Sequence, residues 1–304
     1  MNIDTLVRIF IEVDDFFKEF QPVLDEMKLS DPQKPSRNRK SKLSNSEMMT
    51  IYIAFHLSHY TNFKAFYKEY VSVHWIDLFP DLISYERFNQ TQKKLIIPFI
   101  VFLNQRCLGH CRGINFIDST AIKVCHIKRE KQHKVFHGIA SKGKGTMGWF
   151  FGFKLHLIIN DKGEILSFYL SKANTDDRNL NVISSLVKKV FGKIFGDRGY
   201  ISKTLADYLW NDGISLIYKR RRNMKKQNLT DEERLFLRKR SLIESVNDEL
   251  KNICSVEHTR HRSLHGFMNN LLSGICAYHF LPKKPSLKFE QRDSNNNQLL
   301  LSAA

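Results

Sequence analysis

The segment INFIDST, residues 114–120, decides the fold of this chain. Its apolar residues alternate with polar ones and run into Asp118, a pattern typical of a buried strand that ends on a carboxylate. A carboxylate is rarely buried unless it is paired or binds a metal ion. The segment therefore predicts a core strand that ends on a functional acid.

The segments after this strand predict an α/β fold. The turn NDKG is a good hairpin connection between two further strands. The expected elements are strands at 149–159 and 165–173, a helix at 177–190, the strand KIFGD ending on Asp197, the helix SKTLADYLW, the strand ISLIYK and a long helix at about 230–253. Three meandering strands followed by βα units form a mixed sheet flanked by helices.

Residues 1–105 predict a separate, helical N-terminal domain. Apolar residues recur there near a 3.6-residue period, and Ser44 and Ser84 stand where helix N-caps are expected. We expect this domain to bind DNA ends, whereas the alternative is a helical bundle with a solvated basic face. The predicted organisation is completed by a catalytic domain at 106–285 and a polar tail at 286–304.

The charge of the chain predicts a polyanionic partner. There are 48 Lys and Arg residues against 31 Asp and Glu, which gives a net charge of +17. Such an excess favours nucleic acid, because cationic side chains displace its condensed counterions. The sequence contains no apolar run of the roughly 20 residues that a membrane span needs, and we expect no membrane partner.

The cysteines and the N-terminus predict a cytoplasmic protein. The five cysteines are odd in number and scattered, which fits reduced thiols better than a disulfide framework. The first residues lack the basic and apolar regions of a signal peptide. CLGHC at 107–111, with His126 downstream, could be imagined as a zinc site, but a buried helix end is the favoured interpretation because no second close pair follows.

Two acids are predicted to meet at one edge of the sheet. Asp118 and Asp197 each end a predicted strand, and ligands of α/β sheets bind at the carboxyl ends of strands. Two close carboxylates repel each other, and Mg²⁺ would remove that penalty. A third acid is expected on the last helix, where Glu244 is the candidate and Asp248 and Glu249 are its rivals. The alternative for that helix is an ordinary salt-bridged surface.

Basic residues near these acids are the candidates for DNA contact. On the last helix Arg240 and Lys251 share a line with Glu244 and would face a phosphate backbone. The remaining candidates are Lys128, Arg129, Lys142, Lys144, Arg220, Arg221 and Arg222. The alternative for such runs is a solvated loop. We interpret His126, His133 and His137 as hydrogen-bonding loop residues rather than metal ligands.

The set FIDST, FGDRGY and R-x3-E-x6-K (Arg240, Glu244, Lys251) resembles the DDE transposases of bacterial insertion sequences. GWFFGFKLHLIIN and KLSNSEMMT further resemble the insertion-sequence family numbered nine-eighty-two, over about residues 40–285. The resemblance implies an RNase H-like core in which Asp118, Asp197 and Glu244 are the catalytic acids and the ligands of two Mg²⁺ ions, for which Mn²⁺ can substitute.

The resemblance also implies partners and a place in the cell. The expected partner is double-stranded DNA, both the terminal inverted repeats of the transposon and the target, and the expected reactions are end cleavage and strand transfer. Joining two ends calls for a homodimer or a larger assembly on DNA, in the bacterial cytoplasm at the nucleoid. Only 47 positions separate Asp197 from Glu244, which leaves no room for the large β insertion of some hairpin-forming relatives.

Two other functions stay open at this stage. One is a nuclease or resolvase on the same fold that lacks strand transfer. The other is a DNA-binding regulator derived from a transposase with an inactive site, which is disfavoured because all three acids are present.

Overall fold

The computed structural model describes residues 2–29, 41–145, 148–220, 222–224, 228–257, 261–290 and 300–303. Contacts divide the chain into two compact units. The first unit is Met1–Cys107 with Leu250–Leu281, and the second is Leu108–Glu249 with Pro282–Ala304. The predicted domain limits stay a prediction, and this division differs from them by placing Leu250–Leu281 with the N-terminal region.

The helices lie in both units and are numbered in chain order. Their bounds are α1 Ile3–Leu29, α2 Asn45–Leu57, α3 Phe63–Ala65, α4 Ser72–His74, α5 Tyr85–Thr91, α6 Ile96–Phe102, α7 Leu180–Leu186, α8 Lys203–Asn211, α9 Asp231–Arg238, α10 Ser241–Asp248 and α11 Leu264–His279. Turns of π-helix at Phe66–Val71, Leu103–Cys107 and Glu249–Ile253 and a 3₁₀ turn at Gln92–Leu95 continue several of them. The predicted helical character of the N-terminal region is confirmed.

The predicted helix starts at Ser44 and Ser84 are confirmed. Ser44 Oγ accepts the backbone N–H of Glu47, whose carboxylate accepts the N–H of Ser44, so α2 begins with a full capping box. Ser84 Oγ accepts the N–H of Arg87 at the start of α5. Helices α5 and α6 do not form one regular helix: the 3₁₀ turn at Gln92–Leu95 separates them, and Pro98 in the first turn of α6 cannot donate a backbone hydrogen bond.

Helix α11 explains why the first unit contains a C-terminal segment. Most of its residues are buried, and it packs against α2 and α6. His56 of α2 ties these elements together: its Nε2 lies 2.9 Å from Ser273 Oγ of α11, and its Nδ1 lies 2.5 Å from the carbonyl oxygen of Cys254. A buried polar residue with both nitrogens hydrogen-bonded fixes one packing arrangement.

This buried histidine predicts a loss of stability in acid. Burial lowers the pKa of His56 from 6.5 to about 4, against the opposing effect of the Cys254 carbonyl. Between these two pKa values His56 is protonated in the unfolded chain but neutral in the folded chain. The free energy of unfolding therefore falls as the pH drops below 6.5. We expect His56 to account for about 3 kcal/mol of this loss between pH 7 and pH 4. Urea unfolding of His56→Gln should show a shallower pH dependence than that of the wild type.

The control for this measurement is His265→Gln, which changes an exposed histidine of α11. It should keep the pH dependence of the wild type. Equal slopes for the wild type and His56→Gln would show that His56 does not carry the effect.

The second unit is built on one sheet. Its strands are β1 Ile114–Cys125, β2 Ser141–Gly145, β3 Gly148–Asn160, β4 Ile165–Lys172, β5 Gly192–Gly196 and β6 Ile214–Tyr218, and a separate pair is β7 Leu287–Glu290 with β8 Leu300–Ala303. The order is β2-β3-β1-β5-β6, with β4 also paired to β3. β3 runs antiparallel to β1, β2 and β4, whereas β5 is parallel to both β1 and β6. The predicted α/β class, a mixed sheet flanked by helices and preceded by a helical region, is confirmed.

Two predictions about the strands were wrong. Strand β1 does not end at Asp118 but continues to Cys125, because residues 118–125 pair with β3 from Leu157 to Phe151. The basic segment after it contains the additional strand β2, which pairs with the first half of β3. Both errors have one cause: the long β3 offers hydrogen-bonding partners to polar segments that carry little strand signal of their own.

Two helix predictions also need correction. Helix α7 spans only Leu180–Leu186, inside the expected 177–190. The expected helix at 230–253 breaks between Arg238 and Ser241. Helix α9 packs against β5, where the Phe236 ring lies 5.4 Å from Phe195, while α10 packs against β1. The break between the helices allows α9 to pack on β5 and α10 to pack on β1.

The two faces of the sheet have separate cores. On one face Ile117 and Ile158 pack with the apolar residues of α7 and α8. On the other face Phe116 packs against Phe195, with ring centroids 5.7 Å apart. Within the described ranges, no helix has the length and apolar character needed to cross a membrane.

Candidate active site

The register of the sheet brings Asp118 and Asp197 together. In the parallel pair of β1 and β5, Phe116 lies opposite Phe195. Continuing this register by two residues places Asp118 opposite Asp197 on the same face, since side chains repeat every second residue. Neighbouring strands lie about 4.8 Å apart. The expected convergence of the two acids therefore follows from the pairing, although Asp118 lies inside its strand and Asp197 just beyond the end of β5.

The electrostatics of Asp118 bring in the third acid. Burial is the main cause that raises the pKa of this carboxyl to about 6. The negative charges of Asp197 and Glu244 raise this pKa further, while the Ser119 backbone and the Arg240 guanidinium lower it. The Asp118 carboxylate thus interacts electrostatically with Asp197, Glu244 and Arg240.

Helix α10 is tied to Asp118 by an amide. Asn247 is buried, and its Nδ2 donates to Asp118 Oδ2 at 3.1 Å. Glu244 precedes Asn247 by one helical turn and therefore lies on the same side of α10. Its carboxylate accepts a hydrogen bond from Arg240 at 2.6 Å and is 56% exposed. Glu244 can thus move without unpacking the helix.

The two rivals of Glu244 have other surroundings. Glu249 is half-buried, and burial raises the pKa of its carboxyl, followed by the charge of Asp248, against the opposing charge of Lys284. At 100° per residue, Glu249 points about 140° away from Glu244 around the helix. Asp248 lies about 40° from Glu244 on the side away from Asn247.

The turn after Asp197 is shaped by the carboxylate itself. Asp197 Oδ1 accepts the backbone N–H of Gly199 at 2.7 Å, and a Cβ at Gly199 would lie 2.8 Å from that oxygen. Only glycine permits this close approach, which explains the sequence DRG. The hydroxyl of Tyr200, one residue on, is buried and has no hydrogen-bond partner among the described residues. Its pKa is raised well above the ordinary value, mainly by burial and then by the carboxylates of Asp118, Asp177 and Asp197.

The carboxylates have the right chemistry for a hard divalent cation. Such ions take oxygen ligands, and the mutual repulsion of Asp118, Asp197 and Glu244 is what a cation would remove. The Oδ1 atom of Asn247 is a further buried oxygen without a partner in the described part of the chain. In that same part no group of three or more His, Cys, Asp or Glu side chains is arranged to hold a metal ion, and the Glu244 carboxylate is paired with Arg240.

The basic residues between β1 and β3 lie on the surface. Lys128 and Arg129 are exposed on a 3₁₀ turn that follows β1, and the His126 ring accepts the N–H of Lys128 at 3.3 Å. Lys142 forms an ion pair of 2.9 Å with Glu130. Lys144 is exposed on β2. These positions allow the predicted phosphate contacts.

The other predicted DNA-binding residues differ in their exposure and in their hydrogen-bond or ion-pair partners. Arg220 donates to the carbonyl oxygen of Met224 at 2.7 Å, Arg222 is exposed, and Arg221 lies outside the described residues. Lys251 belongs to the first unit and forms an ion pair of 3.2 Å with Glu257. Arg240 is held by Glu244.

A polar network behind Asp118 was not predicted from the sequence. Asp177 accepts hydrogen bonds from Ser119 Oγ at 2.8 Å and from Lys154 Nζ at 3.0 Å, and the buried His156 lies 3.8 Å from the same carboxylate. The alternation of β1 already places Ser119 on the face opposite Asp118. Asn247 was missed as well, although its place one turn after Glu244 is visible in the sequence.

Comparison with known proteins agrees with this arrangement. The model of the transposase DDE domain matches residues 108–264, which is more than half of the chain. Comparison with curated proteins gives no significant match. A piggyBac transposase synaptic complex with hairpin DNA is similar with a TM-score of 0.46 and 11% identity, covering 89% of this chain and 72% of that chain.

The Mos1 strand transfer complex is similar with a TM-score of 0.23 and 11% identity, covering 81% of this chain and 88% of that chain. Both structural likenesses are weak, whereas the DDE domain match spans the whole sheet and helix α10. The chain therefore belongs to the family of transposases with a DDE domain, and it is a DNA transposase.

Proposed function

We propose that this transposase cleaves DNA at the inverted-repeat ends of an insertion sequence and joins these ends to target DNA, using Mg²⁺ or Mn²⁺. The observation that supports the proposal is the parallel pairing of β1 with β5 up to Phe116 and Phe195, each two residues before a candidate acid. Continued by two residues, this register would bring Asp118 and Asp197 together. The link from Asn247 to Asp118 adds Glu244 to the same group. These three carboxylates would hold the metal ions.

Bound divalent cations would supply Lewis-acid activation of water and of the scissile phosphate. The protein's own part is to arrange the carboxylates. Asn247 holds the Asp118 side chain against α10, and Gly199 holds that of Asp197. Arg240 balances the charge of Glu244, and it would be free to contact a DNA phosphate if Glu244 held a cation.

The test is a strand-transfer assay with the full-length chain, paired transposon ends and Mg²⁺. We expect cleaved ends and joined products that disappear when the metal is chelated. Cleavage without joined products would support the nuclease or resolvase instead. DNA binding without any cleavage would support the regulator, and either result would overturn the proposal.

We also expect the exposed cations after β1 to contact DNA phosphates. The double variant Lys128→Ala/Arg129→Ala should bind every DNA sequence more weakly. Each lost phosphate contact lowers the slope of log K against log salt by roughly 0.9, so the slope should fall by about two units. Discrimination between terminal-repeat and random DNA should be retained, since phosphate contacts carry no sequence information.

A matched control is available at the other end of the sheet. Lys188 and Lys189 are exposed and precede β5, whereas Asp197 follows it. The variant Lys188→Ala/Lys189→Ala removes the same charge and should leave the slope close to that of the wild type. Equal slopes for the two variants would show that net charge, and not contact beside the acids, determines the affinity.

A further inference from the structure

The buried face of helix α10 contains one polar side chain. Its buried residues are Leu242, Ile243, Val246 and Asn247, of which Asn247 alone is polar. Burying an amide costs free energy unless its polar atoms are hydrogen-bonded, and an apolar side chain at this position would avoid that cost. A buried polar group whose hydrogen bonds are incomplete therefore calls for an explanation outside the packing of the helix.

The hydrogen bonds of Asn247 indicate what it is for. Its Nδ2 donates to Asp118 Oδ2 at 3.1 Å, while its Oδ1 is buried without a hydrogen-bond partner among the described residues. Asn115, buried at the start of β1, shows the contrast, because its Nδ2 donates to two backbone carbonyl oxygens at 2.9 and 3.1 Å. Asn115 thus stabilises the backbone, whereas Asn247 donates to an acid of the candidate active site.

The same helix carries the third candidate acid. Arg240, Glu244 and Asn247 follow each other at spacings of four and three residues and so share one side of α10. The charge of Glu244 also acts on Asp118. The hydrogen bond from Asn247 therefore joins the strand that carries the first acid to the helix that carries the third.

We propose that Asn247 is a positioning residue that couples Asp118 and Glu244 in the binding of a divalent cation. Its hydrogen bond fixes α10 relative to the Asp118 carboxylate, so that both acids can bind the same cation. In its absence the two acids act separately and bind more weakly. Residues that orient metal ligands typically change the affinity for the metal by about 10–100-fold. This inference deepens the proposed function and rests on it.

The first experiment measures the affinity for Mn²⁺ alone, using the full-length protein without DNA. The signal of free Mn²⁺ in electron paramagnetic resonance gives the affinity, and the binding that Asp118→Asn removes defines the site. We expect Asn247→Ala to weaken this binding about tenfold. Asn247→Leu, which fills the space but lacks the donor, should weaken it equally. Wild-type affinity in Asn247→Leu would show that packing matters and not the hydrogen bond, and would overturn the proposal.

The matched control is Asn115→Ala, which removes another buried amide from the same unit. It should lower the unfolding temperature, because two backbone carbonyl oxygens lose their donor. Its affinity for Mn²⁺ should equal that of the wild type. If Asn115→Ala weakens Mn²⁺ binding as much as Asn247→Ala does, the loss reflects general destabilisation and the proposal fails.

The second experiment tests the coupling with a double-mutant cycle on the affinity for Mn²⁺. The double variant Asn247→Ala/Glu244→Gln should bind no more than about threefold more weakly than Glu244→Gln, although Asn247→Ala alone weakens binding about tenfold. Independent effects, in which the two losses multiply, would overturn the coupling.

The same measurements separate this inference from the proposed function, because none of them uses DNA. If the wild type binds Mn²⁺ as described but neither cleaves nor joins transposon ends, the proposed function fails and the role of Asn247 stands. If the wild type shows no Mn²⁺ binding that Asp118→Asn removes, both fail.

Discussion

Asp118→Asn is expected to lower metal-dependent cleavage of transposon ends by at least about 10³-fold, with DNA binding retained. The loss corresponds to several kcal/mol of transition-state stabilisation that a metal ligand supplies. Asparagine has nearly the same shape and can keep the contact with Asn247. The variant therefore removes the charge and leaves the packing of α10 on β1 in place. Asp197→Asn should behave in the same way.

Two further measurements make this expectation specific. Asp212→Asn changes an exposed acid after α8 and should cleave as the wild type does. Mg²⁺ should raise the unfolding temperature of the wild type but not that of Asp118→Asn, because only a folded site with its charge binds the ion. Wild-type cleavage by Asp118→Asn would remove this residue from the site.

The position of the two aspartates could be predicted from the sequence because it depends on local pattern. In both FIDST and FGDRGY, the apolar end of a predicted strand leads into an aspartate. Because β1 and β5 are parallel neighbours, residues at equivalent places in the two runs lie close together. No knowledge of the side-chain packing was needed for this step.

The length of β1 could not be predicted in this way. Residues 119–125 are half-buried or exposed for the most part, and their strand structure comes from pairing with β3. The same is true of β2, whose sequence SKGKG contains two glycines and no large apolar residue. Such segments become strands through a partner that lies far away in the sequence.

The break between α9 and α10 has a tertiary cause as well. The sequence from 230 to 253 has helical periodicity throughout, and nothing in the pattern marks Lys239 as a helix end. The break arises because Phe236 packs on β5 while the next turns pack on β1. It also shapes the site, since Arg240 stands at the start of the new helix and reaches Glu244 one turn later.

The identity of the third acid gives the last expected result, which compares three neighbouring side chains. Glu244→Gln should lower cleavage by about 10³-fold, whereas Asp248→Asn and Glu249→Gln should keep activity within about threefold of the wild type. The reason is geometric: the charge of Glu244 acts on Asp118, and Glu244 shares the side of α10 that Asn247 fixes to Asp118.

Each of these substitutions keeps the size of the side chain and removes one negative charge, so the three variants are matched in net charge. The stability of Glu244→Gln should be close to that of the wild type, because the Glu244 side chain is 56% exposed and ion pairs of exposed carboxylates contribute less than about 1 kcal/mol. A loss of cleavage without a loss of stability therefore reports on the metal site alone. If Asp248→Asn or Glu249→Gln is the inactive variant, the third ligand lies further along the helix, and the Arg240–Glu244 pair is only a surface salt bridge.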